Sequence, residues 1–218
     1  MSIERETFNG TGYDLSWSTT GSPDPDYTTS PAPLEGAQSC LLVGTATTGI
    51  YKNMLSTYPE VYVAFMFRMT GTTWQGYPSP IGIYNGGTML ARIDGDSGAN
   101  TVSMFAGSLK DGSIFTLGGG TTYYVKVRYK AGTGANSEVE IWKSSNGLSG
   151  NWGTSYKKSN GDATLNAQRI EFYNLSQATN LIILDDIRYD TGDINYDAGG
   201  SATGVATKVN HYKQCGAM

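Results

Sequence analysis

The chain has 218 residues, 29 of them glycine and 15 tyrosine, with 15 basic against 19 acidic side chains and a net charge of −4. Glycine at about twice its usual ~7%, with Lys, Glu, Leu and Ala scarce, excludes a long-helix or coiled-coil protein. A hydrophobic share of 39% and an aromatic share of 11% exclude disorder. The acidic balance also argues against a nucleic-acid partner, and no stretch approaches the ~18 apolar residues of a membrane span.

In chain order, a short opening strand is expected over 6–10. A Gly/Ser/Thr/Pro loop follows over 10–35, where Pro23, Pro25, Pro31 and Pro33 argue against regular structure. The next strand is expected over 38–43. The strongest strand signal is 61–69, where Val61, Val63, Phe65, Phe67 and Met69 put large apolar groups on one face. Strands over 81–84, 88–93 and 101–106 are joined by Asn85-Gly86-Gly87 and by 94–98, which supply the positive φ of tight turns.

Residues 122–130 and 138–143 flank a Gly-rich loop and are expected to form a hairpin. Val125, Val127, Val139 and Ile141 then face inward, and Lys126 and Arg128 share a solvated outer face with Glu138 and Glu140. Two last strands are expected over 169–173 and 181–189. About ten short strands with glycine turns and no helix mean an all-β fold, a two-sheet antiparallel β-sandwich or jelly roll. From 190 onward the alternation is lost. Gly199–Gly204 has the composition of a hinge, and 205–212 reads either as an arm lent to a neighbour or as a frayed terminus. The expected division is a sandwich over 1–192 and a flexible Gly-rich C-terminal arm over 193–218.

Cys40 and Cys215 form no framework and no metal spacing; they pair within one chain, pair between chains or stay reduced. The first residues, Met1 to Glu6, contain no apolar h-region, so synthesis in a cytoplasm without a signal peptide is expected.

Several segments carry a resemblance: Glu6-Thr7-Phe8-Asn9-Gly10, Thr11-Gly12-Tyr13-Asp14, Ser30 to Gly36, Glu60-Val61-Tyr62-Val63, Thr121 to Val125, and Leu184-Asp185-Asp186-Ile187-Arg188. Over residues 1 to about 192 they resemble the concanavalin A-like lectin/glucanase jelly rolls, and within these the LamG-type domains of tailed-phage and environmental virion proteins. The resemblance implies two antiparallel sheets, one concave, with first and last strands side by side. That superfamily hosts lectins, hydrolases, lyases and inert structural domains, so the site must decide function. Its glucanases use Glu-x-Asp-x-x-Glu on one strand, and its lyases a Gln-x-His stretch with a Tyr and an Arg. Neither pattern occurs, and the only histidine is His211, so no enzyme is expected.

Aromatics outside the core pattern are the candidate carbohydrate contacts: Trp74, Tyr77, Tyr84, Trp142 and Trp152. Intramolecular packing and a subunit interface remain open for each. In the Asp185-Asp186 pair one carboxylate must face the core or sit at a bulge, where it needs hydrogen bonds or a cation. By resemblance, Glu6 and Asp186 are candidate ligands of a structural Ca²⁺; the alternative is hydrogen bonding to backbone amides or to Arg188. Asp94, Asp96 and Asn100 read as turn residues.

The expected role is a non-enzymatic structural or decoration protein on a virion surface. Its expected partners are other virion subunits or a second copy through the arm, together with a cell-surface glycan. A stand-alone carbohydrate-binding module, or a glycan-active hydrolase or lyase of the same fold, is the alternative.

Overall fold

The computed structural model describes residues 4–8, 12–13, 15–28, 33–34, 38–43, 47–76, 78–117, 119–144, 152, 155–160, 164–174 and 180–192. Among these lie fifteen strands. The first six are β1 (Glu4–Glu6), β2 (Ser18–Thr20), β3 (Asp24–Tyr27), β4 (Ser39–Leu42), β5 (Thr48–Tyr58) and β6 (Glu60–Met69). Next come β7 (Ser79–Asn85), β8 (Thr88–Gly95), β9 (Thr101–Ala106), β10 (Leu109–Thr116) and β11 (Thr122–Lys130). The last four are β12 (Ser137–Ser144), β13 (Ser155–Asn160), β14 (Ala167–Asn174) and β15 (Ile182–Asp190).

They form two antiparallel sheets packed face to face, the sandwich that the alternation predicts. One sheet has eight strands in the order β13-β12-β11-β6-β15-β4-β3, with β1 paired to β15; the other has seven, ordered β10-β9-β8-β7-β14-β5-β2. The first and last strands are neighbours, Glu4 facing Tyr189 and Glu6 facing Ile187. The chain crosses from one sheet to the other at β1–β2, β2–β3, β4–β5, β5–β6, β6–β7, β10–β11, β13–β14 and β14–β15, which ties both layers to one core.

That core comes from the period-2 positions. Phe65, Phe67, Val125, Val127, Tyr129, Val139 and Ile141 project from the eight-stranded sheet, and Ile50, Ile81, Ile83, Ile93, Ile170 and Phe172 from the other. Phe65 meets Phe172 edge-on between the layers at 5.0 Å. Each such aromatic contributes about 1.5–3 kcal/mol by leaving water.

Five strands depart from the expectation. The loop over 10–35 holds β2 and β3, and β3 contains Pro25. Because β3 pairs only with β4, its other side is a free edge, where a missing N–H costs no ladder bond. β5 shows no alternation because Asn53 and Tyr58 pair with Arg169 and Ala167 across an irregular stretch that leaves Leu55, Ser56 and Thr57 outside. β10 and β13 are polar edge strands. Their residues face solvent on one side and the neighbouring strand on the other, so no apolar period marks them.

Lys126 is a second correction. Its side chain leaves the sheet on the outer face, yet it is only 2% exposed. Arg128 beside it behaves as expected, bonded to Glu60 at 2.6 Å and Glu138 at 3.0 Å. The arm expected over 193–218 lies outside the described residues.

Candidate functional site

The aromatics singled out by sequence do not form one site. Trp74 is a core residue, 1% exposed, stacked on Phe67 at 5.7 Å. A Cβ at Gly95 would collide with its indole, so the backbone of β8 closes over it. Trp74 therefore has no face to offer a sugar, which corrects that expectation. The Gly and Pro around it misled the sequence reading. Gly71 gives way to the Asn180 side chain and Gly76 supplies a positive φ, while the glycine that admits the ring is Gly95, distant in sequence. Tyr77 lies outside the described residues.

Trp142 and Trp152 meet on the outer face of the eight-stranded sheet, and what they hold is Lys126. Its Nζ sits 4.5 Å from the Trp142 ring and 5.0 Å from the Trp152 ring. Tyr62, Tyr124 and Ala64 close the cluster. An ammonium between two indoles explains both how Lys126 tolerates burial and where the two tryptophan faces are spent. Packing on Lys126 thus takes up much of both indoles, with Trp142 left half-buried.

Tyr84 lies on the opposite face of the molecule and does assemble with other functional groups. One transverse row crosses all seven strands: Ser18, Tyr51, Glu171, Gly82, Arg92, Phe105 and Lys110 pair in succession. On the five inner strands Ile50, Ile170, Phe172, Ile81, Ile83, Ala91, Ile93, Met104 and Ala106 beside them point into the core, so this row faces outward. Gly82, at its centre, carries no side chain, and a Cβ there would come within 2.6 Å of the Tyr84 ring. The Tyr84 ring thus lies across Gly82, between the guanidinium of Arg92 on one side and the carboxylate of Glu171 on the other. Arg92 and Glu171 are two strand spacings apart, roughly 10 Å.

Two equivalent units flank that centre. On β8, Arg92 pairs with Asp94 at 2.6 Å and stacks on Phe105 at 4.8 Å. On β14, Arg169 pairs with Glu171 at 3.1 Å and lies over Tyr84 at 4.9 Å and Tyr51 at 5.5 Å. In each, an arginine and an acid two residues on share one face of a strand, with an aromatic ring beneath the guanidinium. The Nε of each arginine is buried without a hydrogen-bond partner among the described residues.

The electrostatics follow from this packing. Burial raises the Asp94 carboxyl even though Ser79 and Arg92 both donate to it. Burial alone would lower the Arg92 guanidinium, but Asp94 beside it outweighs that and leaves it raised. Tyr84 is pushed up to about 12, first by burial and then by Tyr173 and Glu171, against the pull of a hydrogen bond from Arg92. Its hydroxyl is therefore protonated at neutral pH and acts as a donor. Tyr51, Tyr173 and Phe105 remain half-buried, with ring surface at the rim.

Sequence reasoning found only Tyr84 of this group. The usable signal was Arg92-Ile93-Asp94 and Arg169-Ile170-Glu171, the same apolar residue between a cation and an acid on two strands. Reading Asp94 as a turn residue hid it.

Glu6 and Asp186 do not fit a cation. Glu6 is fully buried and accepts from the Phe8 and Leu15 amides at 3.2 and 2.8 Å and from the Trp17 indole at 3.1 Å. Asp186 accepts from Arg5 at 2.5 Å and from Arg188 at 2.9 and 2.6 Å. The hydrogen-bonded alternative is what the structure holds, and no group of three or more ligating side chains occurs among the described residues. Asp185 and Asp186 sit at a bulge, with φ 43° at Asp186, where the partner of β15 changes from β4 to β1.

No protein-family model matches the sequence, and no curated protein matches it. Solved structures do. An endo-β-1,4-glucuronan lyase from the fungus Trichoderma reesei superposes with a TM-score of 0.64 at 12% identity, over 90% of this chain and 98% of that one. A botulinum neurotoxin type C structure, described by cell entry dependent upon interaction with two ganglioside molecules, gives 0.58 at 13% identity, over 89% of this chain and 49% of that chain. An alginate lyase from Aplysia kurodai gives 0.56 at 8% identity, over 73% and 85%. At these identities the likeness is one of fold: this chain is built as a jelly-roll sandwich shared with polysaccharide lyases and a toxin binding domain, and it spans about half of the toxin chain.

Proposed function

We propose that the outer face of the seven-stranded sheet is a carbohydrate-recognition surface and that the chain is a non-enzymatic glycan-binding domain. The observation that carries this is the pair of arginine–carboxylate units on β8 and β14, set on either side of Gly82. A sugar hydroxyl both donates and accepts, and a carboxylate beside a guanidinium offers one partner for each role. Tyr173, and the parts of Phe105 and Tyr51 that Arg92, Lys110 and Arg169 leave uncovered, add apolar ring surface for the C–H faces of a pyranose. The glucuronan lyase, the alginate lyase and the toxin bound to gangliosides support the reading, since saccharides are what their descriptions name.

Binding is favoured over catalysis by the state of the groups. Each carboxylate is already held by an arginine, and Tyr84 keeps its proton, so neither supplies a free base. A lyase is the second reading, favoured by the hydrogen bond that sets the Tyr84 hydroxyl beside Arg92. Incubation with polyglucuronate and alginate separates the two. The proposal expects no gain of the ultraviolet absorbance of an unsaturated uronate; a gain that Tyr84→Phe abolishes makes the chain a lyase. For binding itself, calorimetry should show saccharide affinity lost by about tenfold in Arg169→Ala. Display on a virion surface is a further proposal, which rests on the resemblance and on residues 193–218.

A further inference from the structure

We propose that this surface selects neutral, hydroxyl-rich glycans over polyuronates, an inference that rests on the carbohydrate reading above. It departs from the substrates named for the two lyases. Recognition of a polyanion needs a cation with charge to spare, and among the described residues this face has none. Arg92 is matched by Asp94 at 2.6 Å, Arg169 by Glu171 at 3.1 Å and Lys110 by Asp96 at 3.9 Å. The whole chain is acidic as well, at −4. An incoming uronate carboxylate would have to displace Asp94 from Arg92. The Asp94 side chain is 6% exposed and also holds Ser79, so displacement would strand a buried carboxylate.

A neutral sugar makes no such demand. Its hydroxyls donate to Glu171, whose side chain is 22% exposed, and accept from the guanidinium of Arg169 or Arg92, so both ion pairs stay intact. The two units then contact two neighbouring residues of a glycan, or two edges of one, with Phe105 and Tyr51 marking the ends of the track. Because no net charge is exchanged, binding is insensitive to salt.

The test is affinity electrophoresis of the full chain through gels cast with a β-glucan, a galactan, a mannan, a xylan, polyglucuronate or alginate. The expected result is retardation by at least one neutral polysaccharide, changing less than about twofold from ~0.05 to ~0.5 M salt. Neither acidic polymer retards the wild type. Arg169→Ala and Tyr51→Ala each weaken the retardation about tenfold. Tyr51 is half-buried at the rim, so its variant keeps the fold and carries the test where an arginine variant does not. Glu171→Gln frees Arg169 and creates retardation by polyglucuronate. Salt-sensitive retardation of the wild type by the acidic polymers alone overturns the selectivity and leaves the carbohydrate reading standing. No retardation in any gel, or retardation untouched by both variants, overturns the reading and the selectivity together.

Discussion

Gly82 is the residue on which the candidate site turns, because its missing side chain is what lets the Tyr84 ring lie between Arg92 and Glu171. Gly82→Ala should weaken glycan binding about tenfold by lifting that ring, while leaving the cooperative unfolding transition in place. Unchanged affinity in a folded variant would mean that Tyr84 has no part in holding the guanidiniums. The Tyr84 hydroxyl makes a second prediction. Pushed up to about 12, it stays a donor across the alkaline range, so affinity should be flat from about pH 7 to about pH 10. An ordinary phenol, half ionised near pH 10, would instead lose about half of its donor there. Trp74, by contrast, acts only on stability: Trp74→Ala should cost about 3–5 kcal/mol in urea denaturation. At this scale the sequence was legible where a residue's role follows from its phase. Arg128 beside Glu138 was visible by alternation alone. Lys126 was not, because what covers it includes Trp152, a residue remote in sequence and brought over the sheet by the fold.

Strands reveal themselves when one face is wet and the other dry, and that rule separates the elements found from those missed. β6, β9 and β11 alternate because they are central or nearly so, with one face on the core, whereas β15 is buried on both faces and changes phase at the Asp185–Asp186 bulge. β2, β3, β10 and β13 lie at edges and carry few core residues, so their sequences read as loop. The candidate site straddles this divide. Its two arginine–carboxylate units sit on β8 and β14, which were legible as strands; Tyr51 sits on β5 and Lys110 on β10, which were not. The edges are tied across the sandwich by a polar link that can be measured. Asp111 on β10 accepts from Lys158 at 2.5 Å and from Tyr156 at 2.8 Å, both on β13. The Lys158 bond first, then that of Tyr156, hold the Asp111 carboxyl below its ordinary value of 3.8. Its contribution to stability is therefore full above the ordinary value and lost as pH falls through the lowered one. Urea midpoints of wild type and Asp111→Asn should differ at neutral pH and converge as pH falls below the lowered value of the Asp111 carboxyl. A constant difference would show that the carboxylate's charge plays no part.

For the molecule as a whole, the sandwich and the neighbouring terminal strands follow from one constraint: two sheets must share a single dry interior. Cys40 lies in that interior, fully buried, and burial first, then Glu6, Asp24 and Asp185, push its thiol well above the ordinary range. In a Cys215→Ser chain, a thiol reagent should react only as fast as the protein unfolds; rapid labelling of the native state would mean that the β4–β15 region opens locally. The Gly-rich residues 193–218 carry the expectation of an arm. Truncation after residue 192 should leave the unfolding transition within about 2 °C, since all fifteen described strands lie between Glu4 and Asp190. Loss of particle assembly in that truncated chain would support the arm, and normal assembly would remove it. The central claim is that glycans are read by the outer face of the seven-stranded sheet, and backbone amide shifts measured by NMR during titration with a retarding polysaccharide's oligosaccharides test it most directly. The account predicts shifts concentrated at Tyr51, Gly82, Tyr84, Arg92, Arg169 and Glu171, with β6, β11 and β12 unmoved. Shifts centred instead on Lys126, Trp142 and Trp152 would contradict it.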